Sequence, residues 1–169
     1  MQDVTAQIVA CIPNLRRYAR GLTGNREAAD DLVQDTLERA WSRIALWQRR
    51  GDLRAWLFSI LHNLFIDRVR SKRASPEEPM GEEEISAPVR ATQTDMLEVR
   101  DLDRALLRLP PDQREVLLLV AVEQMTYEQV GAALGVPLGT VMSRLSRARE
   151  RLRAILEGRE TVSRLKVVK

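Results

Sequence analysis

Residues 126–153 decide the fold of this chain, and their sequence is TYEQVGAALGVPLGTVMSRLSRARERLR. Thr126 and Gln129 have the spacing of a capping box, which predicts the start of a short helix. The tight turn over 135–137 follows, and residues 138–156 then keep a helical periodicity. Two helices joined by a short glycine-containing turn are the parts of a helix-turn-helix, whose second helix enters the major groove of DNA.

The second of these helices separates apolar from polar residues by face. Its apolar side chains recur every three or four positions and form an inward stripe of Val141, Leu145, Ala148, Leu152 and Ile155. The outer face holds Ser143, Ser146, Arg147 and Glu150, flanked by Met142, Arg144, Arg149, Arg151 and Arg153. This pattern is typical of a helix that contacts base edges with phosphate-binding arginines beside them. A solvated basic helix in an ordinary bundle is the alternative that spacing leaves open.

Charge is unevenly distributed along the chain. The 169 residues include 27 Lys and Arg and 24 Asp and Glu, for a net charge of +3. Residues 1–73 carry 13 basic and 8 acidic side chains, residues 74–101 carry 2 and 8, and residues 102–169 carry 12 and 8. All but three of the basic residues are arginines, which suit bidentate contacts with phosphates and bases. Two basic modules therefore flank an acidic segment, which hints at a nucleic-acid partner.

The segment 74–94 interrupts the helical pattern with prolines, a glycine and five glutamates, a composition typical of a flexible linker. On both sides the apolar periodicity is helical, without the sustained alternation of strands. The sequence predicts an all-α protein of two small helical domains joined by a flexible acidic linker, the second containing the helix-turn-helix. The predicted bounds are 1–73 for the first domain, 74–94 for the linker, 95–160 for the second domain and 161–169 for a tail.

Within the first domain, the pattern predicts helices over about 5–22, 26–44 and 52–72, with Asn25 and Asp52 as N-cap candidates. In the second domain it predicts a helix over about 95–108 and another to residue 122 that begins at Pro111.

The second predicted helix has a polar face of Asp31, Gln34, Asp35, Glu38 and Ser42, opposite a buried stripe of Ala29, Val33, Thr36, Leu37, Ala40 and Ile44. From spacing alone, a plain solvated face is the favoured interpretation. The third helix places Trp56, Phe58 and Phe65 among arginines, so its aromatic rings either stack on unpaired bases or form core. Core is the better interpretation for Trp56, Leu57, Ile60, Leu61 and Leu64.

The rarest residue types exclude several classes of protein. Cys11 is the only cysteine and His62 the only histidine, so an intramolecular disulfide, a cysteine zinc cage and a multi-histidine metal site are impossible. We therefore predict no enzyme activity, no catalytic residue, no metal, no cofactor and no small-molecule substrate. No apolar run approaches the roughly 20 residues that span a bilayer, which predicts a cytoplasmic protein that is not membrane-inserted.

Several stretches resemble the extracytoplasmic-function sigma factors, group 4 of the sigma-70 family. The resemblance to region two of that family lies in residues 15–19 (LRRYA), 29–37 (ADDLVQDTL), 40–41 (AW) and 53–58 (LRAWLF), with His62-Asn63 and Asp67-Arg68. Residues 109–116 (LPPDQREV) and 139–149 (GTVMSRLSRAR) resemble its region four. The resemblance covers nearly the whole chain apart from the linker and the last ten or so residues.

The resemblance implies a subunit that binds core RNA polymerase and directs it to particular promoters. The first domain would recognise and help melt the minus-ten element of promoter DNA, and the second would recognise the minus-35 element. An anti-sigma factor that holds the protein inactive is a further expected partner.

The resemblance also assigns roles to individual residues, and it overturns the solvated-face interpretation of the second helix. The contact with the coiled-coil clamp of the polymerase would be made by Asp31, Gln34 and Asp35. Capture of a flipped minus-ten base falls to Asn63 and to the loop Trp47, Gln48, Arg49, Arg50, Gly51 and Asp52. The adjacent DNA backbone would be held by Arg68, Arg70 and Arg73. In region four, Ser143, Ser146 and Arg147 would face bases, with Thr140, Arg144 and Arg149 near phosphates. Met142 departs from relatives that carry lysine or arginine there, which affects promoter preference.

Two rival functions remain. The first is a sigma-like decoy that binds an anti-sigma factor without promoter activity. Such a decoy is expected to lack the recognition-helix arginines, whereas Arg144, Arg147 and Arg149 are present. A stand-alone helix-turn-helix repressor is less favoured, because it would not need the first domain.

Overall fold

The computed structural model describes residues 2–47, 51–74 and 93–158, which form seven α-helices and no strand. The helices are α1 (Gln2–Thr23), α2 (Arg26–Trp47), α3 (Leu53–Ala74), α4 (Gln93–Leu107), α5 (Pro111–Ala121), α6 (Tyr127–Leu134) and α7 (Leu138–Leu156). We call α1–α3 the N-terminal unit and α4–α7 the C-terminal unit. The prediction of an all-α protein with two helical domains and a helix-turn-helix is confirmed. The predicted linker lies almost wholly outside the described residues, as do Gln48, Arg49, Arg50 and the tail.

Side-chain caps start several helices where the sequence predicts them. The Asn25 side chain accepts a hydrogen bond from the backbone N–H of Ala28 at 2.8 Å, and Asp52 accepts one from the N–H of Arg54 at 2.9 Å. Thr126 and Gln129 form the reciprocal capping box, with side-chain to backbone distances of 3.2 and 2.9 Å. Caps satisfy backbone donors that have no partner inside the helix, which explains why these local signals are reliable.

The turn of the helix-turn-helix depends on two glycines. Gly135 ends α6 in the left-handed conformation at φ 66°, which costs a residue without a Cβ little strain. A Cβ on Gly131 would lie 2.9 Å from the carbonyl oxygen of Val136, so only glycine lets the turn fold back this closely. Together they direct α7 across α6.

Two helices are longer than predicted. The first begins at Gln2 rather than near residue 5, and it continues through Pro13. The second continues past residue 44 to Trp47, whose ring stacks on Trp56 of α3 with centroids 6.0 Å apart. A tertiary contact therefore extends α2 beyond the end that its own periodicity indicates.

Burial follows the predicted faces closely. On α2 the predicted stripe is buried or half-buried, and Leu32, which was not predicted as core, is fully buried. On α3 both Phe58 and Phe65 are core residues, so the interpretation of their rings as base-stacking platforms is wrong. Phe58 instead meets Tyr18 edge to face, with ring centroids 5.2 Å apart.

The two units pack directly against each other, α3 on α6 and α1 on α4 and α5. The fit is close where α1 ends: a Cβ on Gly21 would lie 2.8 Å from Leu118 of α5, and one on Gly24 would lie 2.5 Å from Leu107 of α4. Among the described residues, no helix is long and apolar enough to cross a membrane, and no group of three or more potential metal ligands occurs.

Candidate functional site

The outer surface of α7 is the first candidate site. It faces outward because the opposite side of the helix is buried. Val141, Leu145 and Ala148 are buried against the rest of the C-terminal unit. Because a helix repeats every 3.6 residues, this anchoring turns the predicted DNA-contacting residues outward. The exposed ones are Met142, Ser143, Ser146, Arg147 and Arg149, and the half-buried ones are Thr140 and Arg144.

Two of these residues already have partners within the chain. The Ser143 hydroxyl donates to the backbone carbonyl of Thr140 at 3.1 Å. The Arg144 Nε lies 3.6 Å from Asp112 Oδ2, so Asp112 at the start of α5 orients its guanidinium. Met142 is 51% exposed, which leaves an apolar patch within this polar surface.

The polar face of α2 is the second candidate site. Asp31, Gln34 and Asp35 are all exposed on it, as predicted from spacing. Gln34 donates to Glu38 at 3.2 Å along the same face. The Asp35 carboxylate accepts a hydrogen bond from the Arg68 guanidinium of α3 at 2.5 Å. This ion pair joins a predicted polymerase-binding residue to a predicted minus-ten residue, which spacing gave no means to foresee.

The described minus-ten candidates are Trp47 at the end of α2, Gly51 and Asp52 just before α3, and residues of α3 from Asn63 onward. Trp47 is half-buried against Trp56, and Gly51 is exposed in the left-handed region at φ 125°. The Asp52 carboxylate caps α3 and also accepts a hydrogen bond from Gln129 of α6 at 2.7 Å. Farther along α3, Asn63, Arg70 and Arg73 are exposed.

Sequence reasoning missed a cluster of charged residues between the two units, centred on Glu123. The Glu123 side chain has no exposed surface, and Arg17 of α1 donates to both of its carboxylate oxygens at 2.9 and 3.0 Å. Arg54 of α3 donates to the same carboxylate at 3.1 Å and to the Glu123 carbonyl at 2.6 Å. The next residue, Gln124, has φ 53°, a left-handed conformation that is uncommon outside glycine.

A second buried carboxylate in this interface is Glu115 of α5, which is 1% exposed. His62 of α3 lies against it, with Nδ1 2.5 Å from Glu115 Oε1. Burial raises the pKa of the Glu115 carboxyl, and the contact with His62 acts in the opposite direction. His62 is half-buried.

Arg114 completes the contact between the units. It is buried, and its guanidinium donates to the carbonyls of Leu106, Leu107 and Leu109 at 2.9 Å each, around the end of α4. A fourth bond, 2.6 Å long, reaches the carbonyl of Leu22 in α1. One arginine therefore holds both the corner of the C-terminal unit and its attachment to the N-terminal unit.

Comparisons with known proteins support the same division of the chain. Residues 8–62 match the family described as the Sigma2 domain of PhyR, and residues 100–152 match Sigma-70, region 4. The chain is 43% identical over 149 residues to the ECF RNA polymerase sigma factor EcfG of Rhodopseudomonas palustris, covering 88% of this chain and 82% of that protein. It is 37% identical to the ECF RNA polymerase sigma factor SigE of Mycolicibacterium smegmatis, covering 83% of this chain and 56% of that one.

Solved structures agree over nearly the full length. The sigma factor RpoE from Bartonella quintana, in complex with the anti-sigma factor NepR, has a TM-score of 0.78 and 34% identity, and the match covers 97% of this chain and all of that one. CnrH, in complex with the cytosolic domain of CnrY, has a TM-score of 0.71 and 28% identity over 94% and 90% of the two chains. The chain belongs to the extracytoplasmic-function sigma factors, a family of transcription factors that are not enzymes.

Proposed function

We propose that this chain binds core RNA polymerase and directs promoter-specific initiation, with a separate DNA task for each domain. Residues 1–73 bind core polymerase and the minus-ten element, residues 95–160 bind the minus-35 element, and residues 74–94 join them. The observation that carries the proposal is the outer face of α7, where serines and arginines are held outward by a buried apolar stripe. Phosphodiester chemistry belongs to the polymerase, so this chain contributes binding energy alone.

At the minus-35 element, α7 lies in the major groove. Ser143, Ser146 and Arg147 face base edges, and an arginine that donates twice to one guanine discriminates strongly against other bases. Thr140, Arg144 and Arg149 hold phosphates, which position the helix without reading sequence. Met142 makes an apolar contact where relatives carry lysine or arginine, so this position contributes van der Waals contact rather than charge.

The exposed face of α2 binds the polymerase. Asp31, Gln34 and Asp35 form an acidic surface on an otherwise basic unit, which suits a basic partner such as the coiled-coil clamp. The Arg68 guanidinium orients Asp35 from α3, so polymerase binding and minus-ten recognition meet at one ion pair.

At the minus-ten element, promoter melting is driven by capture of unpaired bases. Asn63 and the loop over residues 47–52 hold a flipped base, while Arg68, Arg70 and Arg73 hold the neighbouring backbone. Each captured base offsets a few kcal/mol of lost stacking and pairing. Trp47, packed on Trp56, gives the start of the loop a rigid base.

The protein acts in the cytoplasm, where core polymerase resides, and an anti-sigma factor holds it inactive. Support for this regulation comes from RpoE of Bartonella quintana, which was solved with its anti-sigma factor NepR. The similarity covers 97% of the present chain and therefore both of its units.

Run-off transcription tests the proposed function. Purified core polymerase is incubated with genomic DNA fragments, with and without this chain, and new transcripts with defined starts are expected when the chain is present. A matched reaction uses a variant that carries Asp31→Ala and Asp35→Ala. Failure to produce any new transcript, together with failure to bind core, would refute the function.

The decoy remains a second candidate, because residues 8–62 match the Sigma2 domain of PhyR. PhyR is named as an anti-anti-sigma factor in a solved complex that shares the fold of this chain at 19% identity. The exposed arginines of α7 favour DNA binding instead. A core-binding assay distinguishes a sigma factor from a decoy, since a decoy needs no polymerase.

A further inference from the structure

We propose that Met142 determines sequence preference at the minus-35 element by contacting the 5-methyl group of one thymine. This inference rests on the proposed function, because it requires that α7 enters the major groove of that element. It adds the identity of the base that this side chain selects.

Met142 lies on the side of α7 that the rest of the C-terminal unit leaves uncovered. Val141, just before it, is fully buried, whereas Ser143, just after it, is exposed. Ser146, one turn later, is exposed as well. Because residues four positions apart share one side of a helix, a duplex that meets Ser146 also meets Met142.

Met142 has apolar neighbours on the same surface. Leu138, one turn earlier on α7, is 45% exposed, and Met142 itself is 51% exposed. Tyr127 of α6 lines one surface hollow with Met142 and a second one with Leu138. A single exposed apolar side chain is ordinary on a protein surface, but these three lie together at the start of the helix that faces DNA.

The charges around this apolar surface suit a nucleic acid. Arg149 and Arg153 line the same hollow as Met142, together with one carboxylate, that of Glu150. Arg147 is exposed farther around the helix. Arginines on both sides of an apolar contact are placed to bind the phosphates that border the groove.

The chemistry of the major groove decides what Met142 contacts. A thioether is at most a weak acceptor, so it does not read a base edge by hydrogen bonds. The apolar group that base pairs present in this groove is the 5-methyl of thymine. Against cytosine or a purine, the side chain would displace water from a polar base edge without replacing its hydrogen bonds, which is unfavourable. Met142 therefore selects thymine by contact and disfavours the other bases by desolvation.

Replacement of thymine by deoxyuridine tests this contact, because it removes the methyl group and leaves base pairing unchanged. Holoenzyme made from the full chain and core polymerase is titrated against a promoter fragment obtained by run-off transcription, and binding is followed by fluorescence anisotropy. Each thymine of the minus-35 element, on either strand, is replaced in turn. At one position we expect the affinity to fall about fourfold, which corresponds to the loss of one buried methyl group.

Variants of α7 test whether Met142 makes this contact. Met142→Ala is expected to bind the thymine fragment about fourfold more weakly than the parent chain does, and to bind the thymine and deoxyuridine fragments equally. Met142→Leu keeps an apolar side chain and is expected to retain most of the preference for thymine. Leu156→Ala is the matched control, because Leu156 is 53% exposed at the other end of the same helix, and it is expected to retain all of the preference.

Salt dependence distinguishes an apolar contact from a charged one. A methyl contact releases no counterions, so the affinity ratio between the parent chain and Met142→Ala is expected to stay constant from about 50 to about 200 mM salt. Arg149→Ala, which removes a proposed phosphate contact, is expected to lower the slope of log affinity against log salt by about one.

Two results would overturn the inference. One is a minus-35 element in which no deoxyuridine weakens binding of the parent chain. The other is a preference for thymine that Met142→Ala retains, since another residue then contacts the methyl group. Failure of the proposed function gives a different result: run-off transcription yields no promoter, or the holoenzyme binds intact and scrambled minus-35 elements equally, and the inference then fails with it.

Discussion

Substitution of Arg114 tests how much the buried hydrogen bonds of its guanidinium stabilise this protein. Its guanidinium donates to four backbone carbonyls, three of them around the end of α4 and one in α1. Burial lowers the pKa of Arg114, so the surroundings penalise its charge, and the neighbouring Glu115 carboxylate acts in the opposite direction. Arg114→Met keeps most of the stem and its packing but leaves these carbonyls without their donor.

The cost can be worked out from these contacts. Three of the four bonds are buried, and an orphaned buried acceptor costs about 1 kcal/mol at the low end, so we expect a loss of about 3 kcal/mol in the free energy of unfolding. With a urea slope of about 2 kcal/mol/M, the midpoint falls by about 1.5 M. Arg114→Lys is expected to recover only part of the loss, because one ammonium group cannot reproduce the planar fork.

Urea denaturation followed by circular dichroism is the assay, with Arg104→Met as the matched control. The Arg104 side chain is 70% exposed, and surface substitutions of this kind change stability by less than about 0.5 kcal/mol. The reasoning is refuted if Arg114→Met shifts the midpoint no more than Arg104→Met does, since water would then satisfy the four carbonyls.

Three further predictions concern function and pH. Arg147→Ala is expected to weaken minus-35 binding by the holoenzyme by about 1–3 kcal/mol, measured by fluorescence anisotropy titration. The control Arg16→Ala, at an exposed position, is expected to leave this binding unchanged. Equal losses in the two variants would contradict a base contact by Arg147. Asp35→Ala is expected to weaken binding to core polymerase several-fold, measured by pull-down or interferometry. Glu27→Ala, at an exposed position of the same helix, is the control. An unchanged dissociation constant in Asp35→Ala would exclude Asp35 from the interface. Glu115 has a pKa raised above 4.5 by burial, so the folded state binds more protons than the unfolded state just above that pH. The free energy of unfolding is therefore expected to fall as the pH rises through this window, and to fall less in Glu115→Gln. Parallel pH profiles for the parent chain and Glu115→Gln would contradict this prediction.

Short-range signals in the sequence predicted much of the fold. The capping box at Thr126 and the N-caps Asn25 and Asp52 were predictable because a cap acts over two or three residues. The inward stripe of α7 was predictable because helical periodicity is local. The extension of α2 was not, because it depends on the contact of Trp47 with a residue of another helix.

Phe58 and Phe65 show the limit of composition as a guide to the site. Aromatic rings among arginines suit nucleic-acid binding as well as they suit a core, and only their burial against neighbouring helices separates the two. Arg68 shows a related limit. No local pattern indicates its ion pair with Asp35, which lies 33 residues earlier in the chain.

The sequence by itself predicted the seven helices and the inward and outward faces of α2 and α7, since these depend on residue types at spacings of a few positions, and its motifs resembled those of the family. Only the tertiary structure decided which charges meet between the units. Glu123 binds Arg17 and Arg54, which lie 106 and 69 residues away, and Glu115 meets His62 across 53 residues. Coulomb attraction and desolvation depend on distance and burial in space, and no local pattern in the chain encodes either of them.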